Sequence, residues 1–372
     1  MRKILFAANL DSFFTKFLIP QIKYFKEKGY EVHIAAKSEN IEIPYCDKKY
    51  NVPFARGFSL KDNKNSYVLM KQIIKQENYD VIFCHTPFGG AITRLVAKKV
   101  KSKAKIIYMA HGFHCYKGAS PVHWLLYYNV EKYLSKYTDL IITINQEDYN
   151  IANNKFKCKI DYVEGIGLIR EKFDNVNMDK NDIIEYRKKL GIKPNDFVII
   201  YTAEITKRKR QKWLIETLSD FLKTHDDVHL LLPGKDSLNE KCQQFTKKLK
   251  LENKVHFLGF RKDIPNLLKI SNLAVSASMQ EGLPVNIMEA MYMKLPIIVS
   301  DCRGNSDLVE NDINGYVIKK NDREDFSNKV CDIYDGKVNI KKFSSNSGKI
   351  IEKYLLENVM NEYIKIYENL GL

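Results

Sequence analysis

The chain has 372 residues, 45% of them hydrophobic and 28% charged, which suits about two folded domains of ~150 residues each and is too apolar for a disordered polymer. Its 60 Lys and Arg against 45 Asp and Glu leave a net charge of +15, which favours an anionic partner such as nucleic acid, a phosphorylated substrate or an acidic membrane face. No run approaches the ~18 apolar residues of a membrane span, and seven dispersed cysteines without a Cys-x-x-Cys pair read as reduced thiols of a cytosolic protein rather than a disulfide frame or zinc site.

Ile4–Ala8 is too short an apolar run for a signal sequence and reads as the core of a first buried strand, Lys3–Ala8. A helix over Phe14–Lys28 follows, closed by Gly29, then a strand at Glu31–Ala36. A helix around Ser66–Glu77 leads to a strand at Asp80–Cys84, a helix at Gly90–Lys99 and a strand at Lys105–Ala110. A helix over Val122–Ser135, a strand at Leu140–Ile144 and a short helix after Asn145 complete the first half. The alternation breaks at Gly165 and Gly167, and the polar stretch Asp174–Asp182 reads as a linker.

Alternation restarts with strands at Phe197–Thr202, Val228–Leu232, Val255–Leu258 and Leu273–Ser276, separated by helices at Gln211–Lys223, Glu240–Lys250 and Ile264–Ile270. Strands at Pro296–Ser300 and Gly315–Ile318 follow, and a last helix at about Lys349–Asn369 carries apolar residues near helical spacing. Strand–helix alternation implies parallel sheets covered on both faces, with ligands outside the carboxyl ends of the strands. The expected domains are residues 1–165 and 166–348, with 349–372 as a terminal helix.

The most informative segment is Glu281-Gly282-Leu283-Pro284-Val285-Asn286-Ile287-Met288-Glu289-Ala290. It follows a buried strand, so Glu281 belongs on the loop at the strand's carboxyl end and Glu289 about one and a half turns into the next helix. Free N–H groups and the positive helix end form an anion site. Two carboxylates around such a site can grip a phosphate flanked by two polyols, which describes a nucleotide-sugar. Thr206-Lys207-Arg208-Lys209-Arg210 precedes another helix, where a cation could reach a diphosphate.

The Glu281–Ala290 string with the following Pro-Ile-Ile-Val-Ser strand resembles the signature of retaining glycosyltransferases of family four, which have the GT-B fold of two Rossmann-like domains facing a cleft. The resemblance covers nearly the whole chain, and it implies that Glu281 holds the donor sugar hydroxyls and Glu289 the ribose. Residues 282–286 (Gly282, Leu283, Pro284, Val285 and Asn286), with Lys209, would cover the diphosphate. Two positions depart from the family pattern. Glu204 stands where an arginine is usual and Arg210 where a glycine is usual, so Arg208 and Arg210 are the candidates to replace the missing cation.

By the same resemblance, His111 lies near the anomeric region, where a neutral imidazole could bond a sugar hydroxyl or pass a proton. Phe260 and Arg261 are the nucleobase candidates, and Arg303–Asp307 reads as turn chemistry. His85, Phe13 and Lys117 are assigned to the acceptor side. No metal-ligand spacing appears, so no metal and no cofactor beyond the sugar donor are expected. The terminal helix of the resembled fold crosses back to the first domain.

The expected function is transfer from a UDP-sugar to a lipid-linked or oligosaccharide acceptor in capsule, exopolysaccharide or other surface-glycan synthesis. The protein would sit peripherally on the inner face of the cell membrane. Its contact would come from the basic-aromatic Phe13–Phe25 or Trp124–Tyr128 regions, docked on an anionic surface. A UDP-sugar 2-epimerase of related shape, a basic nucleic-acid-binding protein and an inactive sugar-binding homologue are the alternatives. No helix-turn-helix, zinc or aromatic RNA-binding signature supports nucleic acid.

Overall fold

A computed structural model of the chain describes residues 1–55, 57 and 59–372. They form two compact units, Met1–Ile166 with Val359–Leu372, and Gly167–Asn358.

Among the described residues the first unit has a seven-stranded sheet. Its strands are β1 (Lys3–Leu10), β2 (Glu31–Lys37), β3 (Lys48–Asn51), β4 (Val81–His85), β5 (Lys105–Ala110), β6 (Leu140–Thr143) and β7 (Lys159–Tyr162). Their order is β3-β2-β1-β4-β5-β6-β7, and neighbouring strands pair in parallel. Central strands of a sheet covered on both faces bury every side chain, and Val81-Ile82-Phe83-Cys84-His85 is buried throughout. The Val359–Leu372 segment belongs to this unit. The Tyr363 hydroxyl donates to the Gly165 carbonyl at 2.9 Å, and the Tyr367 ring lies 4.9 Å from that of Phe25.

The second unit carries, among its described residues, a six-stranded sheet in the order β10-β9-β8-β11-β12-β13. These strands are β8 (Phe197–Ile200), β9 (Val228–Pro233), β10 (Val255–Gly259), β11 (Leu273–Ser276), β12 (Ile297–Ser300) and β13 (Tyr316–Ile318). Neighbours again pair in parallel. Each sheet reverses its strand order once, between β1 and β4 and between β8 and β11. Such switch points leave a crevice at the carboxyl ends of the strands.

Several elements differ from the sequence expectation. The Phe14–Lys28 helix is two helices, Asp11–Phe17 and Ile19–Glu27, because Leu18 takes ψ 0 and Pro20 begins a new first turn. The Val122–Ser135 helix contains a π-helical turn at Trp124–Tyr128. The Asp174–Asp182 stretch is not a bare linker. Asp179 and Asp182 form a capping box that starts a helix at Lys180–Lys189. Arg187 anchors that helix by donating to the carbonyls of Asp196 at 2.8 Å and Ile270 at 2.6 Å. The terminal helix starts at Leu356, not Lys349, because Leu355 is extended with ψ 146 and separates it from the Ile340–Ile350 helix and a short turn.

Candidate active site

In the second unit, Glu281 lies on the loop after β11 with 7% of its surface exposed. Lys209 Nζ approaches Oε1 at 2.5 Å, and Arg208 Nη1 approaches Oε2 at 3.0 Å. Burial alone would raise the Glu281 pKa, but the positive charges of Lys209 and Arg208 outweigh it and the net shift is downward. Glu281 is therefore a carboxylate at neutral pH.

The two loops that meet here are pinned by backbone. Met279 N–H donates to the Arg208 carbonyl at 3.0 Å, and the Lys209 carbonyl accepts from the buried Tyr201 hydroxyl at 3.1 Å. Arg303, read from sequence as turn chemistry, is buried and its Nε donates to the Glu281 carbonyl at 2.9 Å. Beside it Gly304 has φ +82, and a Cβ there would stand 2.6 Å from the Gly282 carbonyl oxygen. Only glycine fits so close a backbone approach. An arginine and a glycine after a strand were the visible signal of this buttress, but that pattern is common to ordinary turns.

Gly282, Leu283 and Pro284 lead into the Val285–Tyr292 helix, whose start no side chain caps. The N–H groups of Ile287 and Met288 bond the Pro284 carbonyl, while those of Val285 and Asn286 fall in the first turn, outside the helical ladder. Glu289 is half-buried in the second turn. Burial raises its pKa to about 7, against a partial opposing pull from Lys172.

The departures at positions 204 and 210 have distinct fates. Glu204 accepts a 2.5 Å hydrogen bond from Ser237. Arg210 keeps the left-handed backbone that suits a glycine, with φ 60 and ψ 35. Its guanidinium stacks 4.4 Å over Trp213 and donates to Asn321 at 2.8 Å. Arg208, and not Arg210, is therefore the arginine that joins Lys209 at Glu281.

Phe260 is 73% exposed, free to pack on a planar ligand. Arg261 is committed to Asp263, at 2.5 and 2.7 Å, and to the Tyr186 hydroxyl at 3.0 Å. Its side chain buttresses the loop after β10.

In the first unit, His111 follows β5 and His85 ends β4. His85 Nδ1 and His111 Nε2 are 3.2 Å apart, and the Phe13 ring meets His111 edge-on at 4.9 Å. His111 is half-buried, and burial lowers its pKa to about 4. His85 is fully buried, which corrects its expected place on the acceptor-facing surface. Burial and the neighbouring His111 hold its pKa well below the usual imidazole value.

Thr86, just after His85, takes φ 63, a rare backbone for a β-branched residue. The Asn9 side-chain oxygen holds that turn, accepting from Thr86 Oγ1 at 2.7 Å and from Gly89 N–H at 3.1 Å. Lys117 is exposed, and its backbone N–H donates to Glu147 at 2.5 Å.

The aromatic regions also need correction. Phe14, Tyr24 and Phe25 are core residues, and Trp124, Tyr127 and Tyr128 pack against the core. What the second region exposes is aliphatic, with Leu125 73% and Val122 67% exposed. Among the described residues no helix is long and apolar enough to cross a membrane, and no cluster of three His, Cys, Asp or Glu residues could hold a metal ion.

Residues 3–145 match the family described as glycosyl transferase 4-like, and residues 182–349 match glycosyl transferases group 1. The chain is 34% identical over 369 residues to the putative glycosyltransferase EpsD of Bacillus subtilis, covering 98% of this chain and 96% of that one. The chain belongs to this glycosyltransferase family. It is also 27% identical over 330 residues to the UDP-Gal:alpha-D-GlcNAc-diphosphoundecaprenol alpha-1,3-galactosyltransferase of Escherichia coli, covering 86% and 84% of the two chains. The crystal structure of Anabaena Alr3699/HepE in complex with UDP and glucose superposes with a TM-score of 0.77 at 19% identity, covering 99% and 100%. The two doubly wound parallel sheets of this glycosyltransferase are the GT-B fold.

Proposed function

We propose that this glycosyltransferase takes its sugar from a UDP-sugar, with retention of anomeric configuration and without a metal ion, and passes it to a lipid-linked acceptor in surface-glycan synthesis. The observation that carries the reading is the buried Lys209–Glu281 pair with Arg208, on the loops that lead to an uncapped helix start. In the transfer the bond from the anomeric carbon to the β-phosphate oxygen breaks. The acceptor hydroxyl oxygen bonds the same face of that carbon and its proton passes to the departing phosphate. Negative charge then grows on the diphosphate.

Lys209, Arg208 and the first-turn N–H groups supply preorganised positive charge for it. Lys209 has three protons, so it can keep Glu281 and still donate to phosphate. Glu281 accepts hydrogen bonds from the donor sugar and Glu289 from the ribose. The names of the Escherichia coli relative and the Anabaena complex support a UDP-linked donor, and the former supports a diphospho-lipid acceptor.

Docking on the inner membrane face belongs to the same reading. Val122, Leu125, Leu126 and Val130 are exposed on one run of helical turns, with Lys117, Lys132 and Lys136 exposed beside them. Exposed apolar residues with exposed cations nearby in the sequence suit an anionic bilayer. A thermal-shift panel of UDP-, GDP- and ADP-sugars tests the donor, since a binder raises stability with the logarithm of its concentration over Kd. UDP-sugars alone should shift the transition, and a shift by GDP- or ADP-sugars only would reassign the base.

A further inference from the structure

We infer that His85 is a positioning residue that locks His111 in the tautomer protonated on Nδ1, making His111 a hydrogen-bond donor rather than a base. The inference rests on the proposed glycosyl transfer and on the place near the anomeric region that the family resemblance implies for His111. The geometry beneath it stands without either.

The two rings share one hydrogen bond, between His85 Nδ1 and His111 Nε2 at 3.2 Å. Burial keeps both imidazoles neutral near pH 7, so each ring carries one N–H, and only two arrangements of the protons make the bond. If His111 Nε2–H donated, His85 would carry its own proton on Nε2. That atom is buried without a hydrogen-bond partner among the described residues. Its surroundings are apolar, since the ring stacks 8° from parallel on Phe6 and lies 4.5 Å from Phe83.

A buried N–H without an acceptor is rarer and costlier than a lone pair without a donor. The favoured arrangement is therefore His85 Nδ1–H donating to His111 Nε2. His111 then spends its acceptor nitrogen on His85 and offers only Nδ1–H. A donor at that place can bond a sugar or phosphate oxygen but cannot take a proton from an acceptor hydroxyl. This agrees with a transfer in which the departing phosphate takes that proton.

Several features hold His85 ready for this task. Phe6 and Phe83 pin its ring, and the strained Thr86 turn ends the strand directly after it. The edge-on Phe13 ring confines His111 from another side.

The test reads the tautomer first. Long-range 15N–1H correlation spectra of the intact protein should show His111 protonated at Nδ1 and bare at Nε2. Protonation at Nε2 would overturn the inference, whatever reaction the protein catalyses. His85→Asn places an amide N–H where Nδ1–H was and should keep the His111 spectrum and kcat within a few-fold. His85→Phe keeps the shape and removes the donor, and should lower kcat about a hundredfold with little change in donor KM. In a His111→Ala background, His85→Phe should cost nothing further. An equal loss from His85→Asn and His85→Phe, or a further loss in that background, would reduce His85 to packing. Absence of any glycosyl transfer by the wild type, with the Nδ1–H spectrum present, would instead sink the functional reading alone.

Discussion

Glu281 and Lys209 stabilise one another in a site where neither would be comfortable alone. Removing one member of a buried pair strands the other charge, at a cost of about 3–5 kcal/mol, whereas removing both can be nearly neutral. Lys209→Met should therefore lower the melting temperature more than the Lys209→Met/Glu281→Gln double variant does, as calorimetry would show. Equal destabilisation would mean that Arg208 already satisfies the carboxylate. Glu289 makes the opposite kind of prediction. Its pKa of about 7 lies above the ordinary 4.5, so folding favours the protonated acid. The stability this contributes is present below the unfolded value and is lost as pH rises through 7. Glu289→Gln should then stabilise the ligand-free protein at pH 8 relative to wild type and have little effect near pH 4. Donor binding runs the other way, because the carboxylate is the better acceptor for ribose hydroxyls. Donor KM should rise as pH falls from 8 to 6 in wild type and stay flat in Glu289→Gln.

At the scale of elements, Arg210 shows how a turn outlives its preferred residue. The left-handed backbone at position 210 costs a non-glycine residue about 1 kcal/mol, offset here by the Trp213 stack and the Asn321 bond. Arg210→Gly should leave turnover within a few-fold, while Arg208→Ala should lose tenfold or more. The reverse ranking in steady-state assays would move the diphosphate cation to position 210. The exposed turns at Pro121–Leu134 carry the membrane expectation. Leu125→Asp should release the protein from anionic vesicles in sedimentation without slowing transfer to a soluble acceptor, and unchanged sedimentation would locate docking elsewhere.

The legibility of elements followed burial. Strands such as Lys105–Ala110 and Leu273–Ser276 were readable residue for residue, since both faces are covered and the run is continuously apolar. The edge strands β3 (Lys-Lys-Tyr-Asn) and β7 (Lys-Ile-Asp-Tyr) were not, because exposed edges keep no apolar pattern. The Lys180–Lys189 helix buries only Arg187, so it shows no apolar stripe, and its capping box was the one available signal. The expected Gln211–Lys223 helix is two, Gln211–Thr217 and Ser219–Thr224, and the break at Leu218 has neither glycine nor proline to announce it.

For the whole molecule, two doubly wound sheets bring the candidate residues to loops at the carboxyl ends of their strands, and this much was visible from alternation and the Glu281–Glu289 string. Side-chain direction was not visible. Nothing in a one-dimensional pattern tells that His85 turns inward, that Arg261 is taken by Asp263, or that Arg303 supports the Glu281 loop. Those facts depend on which partner lies closest in space. The Glu281 site is proposed to drive transfer from a UDP-sugar. Acceptor-dependent UDP release, measured for wild type and Glu281→Gln under matched donor and acceptor, tests it most directly. Wild type should release UDP, and a folded Glu281→Gln variant should lose about 2–4 kcal/mol of transition-state stabilisation. Equal rates in the two proteins would contradict it.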